Sequence, residues 1–152
     1  PIPDHKVAVS LVLDALVKEN IVEKLEEIEG VGHRIVHGGE YFSSSAVVDE
    51  DVVSKVEELC ELAPLHNPAH LVGYRAFKEA LPGVGHVFVF DTAFHQTLDR
   101  ERYLYPLPLE YYTDYKIRKY GAHGTSHKYV SEQVIKELGN PKHSRIIVCI
   151  RW

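Results

Sequence analysis

The sequence contains no methionine and only two cysteines, Cys60 and Cys149, among its 152 residues. Two cysteines are too few for a disulfide scaffold or a cysteine-rich zinc module. No run of about eighteen apolar residues occurs, and no charged-then-apolar leader opens the chain, so we expect a cytoplasmic protein. The missing methionine fits either removal of a start residue before Pro1 or excision from a longer chain.

Basic residues are fewer than acidic ones: the chain has 17 Lys and Arg and 22 Asp and Glu, which gives a formal net charge of −5. This balance argues against broad electrostatic binding to nucleic acid or to an anionic membrane, and it leaves room for a local basic pocket. Hydrophobic residues make up 45% of the chain and charged residues 26%, which excludes bulk disorder. We therefore expect one soluble globular unit with a packed core.

The hydrophobic pattern predicts four helices, at residues 4–19, 50–63, 67–82 and 125–138, and three strands, at 31–36, 87–90 and 146–150. A short helix over 22–28 and an irregular Tyr- and Pro-rich connection over 103–120 complete the chain. Alternation of helices and strands is typical of a sheet with helices packed on its faces.

The same pattern predicts how two of these elements are buried. In the first helix the polar residues form one narrow stripe from Lys6 to Lys18, so we expect burial on most sides. The strand at 87–90 is continuously apolar, which is typical of burial on both faces. Cys60 lies on an apolar helix face and is predicted to be a core residue.

Four residues are candidates for helix starts. Asn67 is predicted as the N-cap of the third helix, with Pro68 at its first position. Thr125 or Ser126 is predicted to cap the fourth.

Arg34 lies within an apolar strand that runs into Gly38 and Gly39. A buried guanidinium is costly unless an anion meets it, and its planar fork matches a carboxylate or a phosphate. The following glycines let the backbone approach a ligand closely. The segment indicates either an anion site or an arginine paired with a structural aspartate beside an ordinary turn.

Two further segments carry polar groups at element ends. His66 precedes a helix start, where free N–H groups bind anions, although a plain cap by Asn67 explains the segment equally well. Asp91 ends a buried strand, the position at which ligands collect in open α/β sheets. A carboxylate there can orient a nucleophile or hold magnesium, and its alternative is a turn with Thr92.

Histidines offer a fourth candidate and a rival interpretation. His123 and His127 flank a small loop that opens a helix, where imidazole and helix N–H groups can stabilise a transferring phosphoryl group. Alternatively, His127 simply bonds locally. The same H-x-x-x-H spacing occurs at His33/His37 and His66/His70, so a His-based metal protein is a further alternative.

Four segments together resemble the acetate and propionate kinase family, in order and spacing: Gly32–Glu40, Leu62–Pro68, Phe90–Thr97 and His123–His127. The resemblance implies a ribonuclease H-like lobe of the actin-like, sugar kinase and Hsp70 ATPase fold. It also implies Mg²⁺-dependent phosphoryl transfer between ATP and a short carboxylate, which gives ADP and acetyl phosphate from acetate, in a homodimeric enzyme.

The resemblance also assigns roles to residues. Arg34 holds the carboxylate or the phosphoryl group, Asp91 orients the acid and its magnesium, and His123 stabilises the transition state. His66 contacts the substrate nearby.

An apolar pocket for the acyl methyl group is implied at Val36 and Leu65. Most family members have Phe where this chain has Ala122, and the smaller side chain leaves room for a longer acid such as propionate.

The resemblance covers only part of a kinase. Family members begin with a strand and a Ser-rich phosphate-binding turn that have no counterpart before Pro1, and they continue into a phosphate loop where Arg151 and Trp152 stand here. The resemblance therefore implies that residues 1–152 form most of an N-terminal lobe and that the nucleotide-binding lobe is not part of this chain. It also implies that these residues alone have no kinase activity. The alternative is a non-catalytic module that binds small carboxylates or phosphates.

Overall fold

The computed structural model describes residues 2–150, so the expected departure at Arg151 and Trp152 lies outside the described residues. The helices are α1 (His5–Lys18), α2 (Glu50–Glu58), α3 (Asn67–Ala80), α4 (Arg100–Tyr103), α5 (Glu110–Thr113) and α6 (Gly124–Glu137). The strands are β1 (Gly30–Ile35), β2 (Ala46–Val47) and β3 (Gly85–Phe90), and 3-10 turns cover Leu25–Glu27, Leu59–Glu61 and Ala93–Thr97. The predicted α/β class is confirmed.

The three strands form one mixed sheet in the order β1-β3-β2. Strands β1 and β3 run parallel, with Arg34 opposite Val89 and Ile35 opposite Phe90, whereas β2 pairs with β3 in the antiparallel sense. Because β1 and β3 are parallel, their carboxyl ends meet at one edge, and this edge carries the candidate site. The pattern missed β2, since two residues are too short to show a period.

The core lies between the sheet and helices α2 and α3. Its fully buried side chains include Ile35, Val56 and Phe88, and Phe42 stacks on Phe90 with ring centroids 4.1 Å apart. Cys60 packs against this cluster, and burial raises the pKa of its thiol, as expected of a core residue. A second cluster joins α1 to α3 through Val9, Leu13, Ala76 and Leu81.

Two burial predictions were wrong. In α1 only Val9 and Leu13 are buried, while Leu11 and Val12 are 51% and 52% exposed, because the contacts of this helix are mainly with α3. In β3, Phe88 and Phe90 are buried but Val87 and Val89 are half-buried, so one face is closed and the other is partly open. Apolarity along a segment does not reveal how many neighbours cover it.

The predicted strand at 146–150 is absent from the structure, and Ile147 is 91% exposed. A strand requires a hydrogen-bonding neighbour, and none of the strands within residues 2–150 pairs with this segment. The expected helix over 22–28 is reduced to the turn Leu25–Glu27. Among residues 2–150, no helix combines the length and the apolar character that crossing a membrane requires.

Both predicted caps were also wrong. His66 is the N-cap of α3, and Asn67 is fully buried with its side chain turned to the backbone of His37. His123, rather than Thr125 or Ser126, occupies the N-cap of α6, with a left-handed φ of 52°. The proline expected in the first turn of α3 is there.

Candidate functional site

Arg34 and Asp91 meet at the carboxyl ends of β1 and β3. Arg34 Nε donates to Asp91 Oδ1 at 3.0 Å and Nη2 donates to Oδ2 at 2.7 Å, which is a two-bond fork. The Asp91 side chain is 3% exposed and that of Arg34 is 59% exposed. The carboxylate raises the pKa of the guanidinium, which stays charged and faces the solvent side of the pair.

His123 completes a cluster of three groups from distant parts of the chain. Its Nδ1 lies 3.4 Å from Arg34 Nη2 and 3.7 Å from Asp91 Oδ2. The structure therefore places the three predicted catalytic side chains in one neighbourhood. A guanidinium, a carboxylate and an imidazole at these distances can hold and polarise a small anion.

The backbone of the loop before α6 sets the position of His123. Gly124 is buried, and its N–H donates to the Asp91 carbonyl oxygen at 2.8 Å. A Cβ at Gly124 would clash with that same oxygen. Glycine at 124 thus lets the start of α6 dock directly on the residue that carries the carboxylate.

We expect Gly124→Ala to destabilise the chain by about 1–3 kcal/mol and to move His123 away from Asp91, because the added methyl group displaces the loop. Urea unfolding and the structure of the variant measure the two effects. Gly73→Ala in α3 is the matched control, since a Cβ there meets nothing within 4 Å and should leave stability unchanged or improved. Equal stabilities of Gly124→Ala and the parent chain would contradict this account.

The cluster opens into a cleft of about 750 Å³. Its lining combines Arg34, Asp91 and His123 with residues of the sheet and of α6: Gly32, His33, Val89, Thr125, Ser126 and Tyr129. One exposed guanidinium and the hydroxyl groups at the start of α6 suit an anionic ligand.

The other predicted substrate residues do not line this cleft. Leu65 is 85% exposed and His66 is exposed, both just before α3. Ala122 is exposed, with its carbonyl oxygen 3.1 Å from His95 Nε2. Val36 is half-buried, directly after β1.

The sequence did not identify His70 as a site residue, because His70 was recognisable only as one member of the His66/His70 pair. His70 Nδ1 accepts a hydrogen bond from the Val36 N–H at 3.3 Å. Burial and the charge of Arg34 lower the pKa of His70. The available signal was its spacing from Asn67, because residues three apart share a helix face and both side chains reach the end of β1.

Among the described residues, no three His, Cys, Asp or Glu side chains come together as a metal-binding group. His33 instead bonds to His86, with Nε2 and Nδ1 2.9 Å apart, so the H-x-x-x-H spacing gains no support. A single carboxylate such as Asp91 is compatible with magnesium, because this ion commonly takes one or two protein carboxylates and completes its shell with water and phosphate oxygens.

Comparisons with known proteins show the family of this chain. The profile of the Acetokinase family matches residues 1–150. The acetate kinase of Geobacillus kaustophilus is 57% identical over 149 residues, which are 97% of this chain and 38% of that protein. The acetate kinase of Streptococcus agalactiae is 59% identical over 140 residues, or 92% of this chain and 35% of the relative.

Solved structures show the same relation. The acetate kinase of Porphyromonas gingivalis superimposes with a TM-score of 0.85 at 48% identity, and the propionate kinase of Francisella tularensis with 0.84 at 47%. Each comparison covers 90% of this chain and 35% of the other. This chain spans little more than a third of the length of these relatives, and it belongs to the acetate kinase family.

Proposed function

We propose that the chain is the acyl-substrate part of an acetate kinase, a transferase that converts ATP and acetate into ADP and acetyl phosphate. The observation that carries the proposal is the cluster of Arg34, Asp91 and His123 at the mouth of one cleft. Phosphoryl transfer depends mainly on positioning and charge neutralisation, and these three groups supply both.

Each residue has a distinct part in the proposal. Arg34 holds the carboxylate or the phosphoryl oxygens through its exposed N–H groups. Asp91, buried and fixed by Arg34, orients the acid and lies where a magnesium ion would be held. His123 donates to the oxygens on which charge develops. Magnesium would neutralise phosphate charge when bound.

In this proposal the chain is most of the N-terminal lobe of a ribonuclease H-like, actin-type kinase fold. The second lobe would supply the ATP site. The family membership and the coverage of 38% of the Geobacillus kaustophilus relative support this placement.

The acyl half and the complete reaction can be tested separately with this chain. We expect acetyl phosphate or inorganic phosphate to shift the NMR signals of Arg34, Asp91 and His123, and we expect no ATP-dependent acyl phosphate above a no-enzyme control. Anion-induced shifts confined to other residues would overturn the assignment of the site. Turnover by the 152 residues would overturn the division between lobes.

Ala122 offers a test of acyl specificity in the full-length kinase. Because Ala122 is exposed, a larger side chain fits without disturbing the core. Ala122→Phe is expected to lower kcat/KM for propionate relative to acetate by about tenfold, the usual cost of crowding one methylene. Ala15→Phe, on the exposed side of α1, is the control. An unchanged propionate-to-acetate ratio would remove Ala122 from the acyl pocket.

A further inference from the structure

The backbone that follows β1 is held by side chains of α3 rather than by the sheet. The β1–β3 register ends at the pair Ile35 and Phe90, and Asp91 N–H donates to the Ile35 carbonyl at 3.0 Å. Beyond that point, Val36 N–H donates to His70 Nδ1 at 3.3 Å.

The next residue is held in the same way. His37 N–H donates to Asn67 Oδ1 at 3.2 Å, and Asn67 Nδ2 donates to the His37 carbonyl at 3.0 Å. Side chains of the first turns of α3 therefore fix the conformation of two consecutive residues next to Arg34.

The bond from Val36 determines the protonation state of His70. An amide N–H only donates, so Nδ1 must carry a lone pair and the neutral ring must carry its proton on Nε2. A protonated imidazole has no acceptor, and Val36 N–H would lose its partner.

The charges around His70 favour the neutral ring. Burial lowers the pKa of His70 most, Arg34 on β1 and His66 just before α3 lower it further, and Asp91 after β3 raises it. The arginine that we assign to substrate thus also protects the hydrogen bond that holds Val36.

We propose that His70 is a positioning residue, whose unprotonated Nδ1 holds the Val36 backbone and thereby the position of Arg34 two residues before it. The inference rests on the proposed function. Arg34 is the penultimate residue of β1 and Val36 directly follows the strand, so only Ile35 separates them. Moving the Val36 backbone would therefore move the guanidinium that, in the proposed function, holds the acid.

The first test uses NMR of this chain with labelled imidazole nitrogens and amides. We expect the Nε2–H tautomer at His70, and we expect the Val36 amide signal to move with the midpoint of His70 protonation. Arg34→Gln should raise the pKa of His70. Arg75→Gln, which removes a charge from the same helix, should not, because Arg75 pairs with Glu57. An Nδ1–H tautomer, or a Val36 signal that ignores His70, would overturn the proposal.

The second test uses kinetics of the full-length kinase. His70→Leu removes the acceptor and should raise KM for acetate about tenfold, the effect of one lost hydrogen bond, with KM for ATP unchanged. His70→Asn places an amide oxygen close to the Nδ1 position and should restore KM for acetate.

Failure of the positioning role can be distinguished from failure of the proposed function. A KM for acetate that is unaffected by His70→Leu, or equal rises in both KM values, would refute the positioning role. A full-length protein without acetate kinase activity would instead refute the proposed function, and the NMR experiment would still decide whether His70 holds Val36.

Discussion

Arg34→Ala in the full-length kinase is expected to lower kcat for acetyl phosphate formation by about 10³-fold, the scale on which an arginine stabilises phosphoryl transfer. The guanidinium is the exposed positive charge of the cleft, with Nη2 2.7 Å from the buried Asp91 carboxylate and 3.4 Å from His123. Its removal takes away the charge that we propose for binding the anion and leaves Asp91 without its two-bond partner. Steady-state kinetics measures the loss.

Two further variants separate charge from geometry. Arg34→Lys keeps the charge without the planar fork and is expected to fall between the parent and Arg34→Ala. Arg75→Ala removes an exposed arginine that pairs with Glu57 and should leave kcat unchanged. If folded Arg34→Ala enzyme, verified by circular dichroism, retains the kcat of the parent, Arg34 has no part in the reaction.

The stability of the chain is expected to fall by about 1–2 kcal/mol as the pH is lowered from 6.5 to 4, because water screens part of the effect at a half-buried group. Burial, and to a smaller extent the charge of His86, lowers the pKa of His33 from 6.5 to about 4. Within this window the unfolded chain binds a proton at His33 and the folded chain does not, so acidification favours unfolding. Urea unfolding at pH 7.5 and pH 4.5 measures the difference.

His33→Phe is the informative variant, because the ring of His33 packs edge-on against Tyr74, Phe77 and Phe88 and a phenyl ring preserves these contacts. We expect a shallower loss of stability with falling pH. His5→Gln, at the exposed start of α1, should keep the slope of the parent. Identical slopes for His33→Phe and the parent would show that the acid sensitivity arises elsewhere.

His86 adds to the same sensitivity. It is 7% exposed, its pKa is lowered mainly by burial, and its Nε2 has no hydrogen-bond partner among the described residues. A proton on this ring would place an uncompensated charge in an aromatic environment, which is costly. Both histidines therefore make the folded chain less stable as the pH falls.

The sequence predicted the parts of the fold that depend on local pattern. Helix α3 begins within one residue of its expected start, and β1 and β3 lie where short apolar runs indicated strands. Arg34 was a candidate because a guanidinium in an apolar strand needs an anion, and Asp91 because ligands collect beyond strand ends in open α/β sheets. His123 was a candidate from its place in a small loop that opens a helix, and the resemblance to a kinase family then grouped the three residues in one site.

The predictions that failed depend on contacts between segments that are distant in the sequence. The pattern could not show that α1 packs mainly against α3, or that residues 146–150 have no strand beside them among residues 2–150. The roles of Asn67 and His70 depend on bonds to backbone about thirty residues away, which leave no periodic trace. Tertiary hydrogen bonds override the propensity of Asn for caps.

The left-handed backbone of His123 bears on any attempt to transplant this trio onto another scaffold. Its φ of 52° is costly for a residue with a Cβ, and the adjacent glycine docks on Asp91. Copying three side-chain identities would therefore not reproduce the arrangement. A designer would have to import the whole bend from 121 to 124, together with the strand terminus beneath it, and then build enough surrounding structure to keep that bend from relaxing.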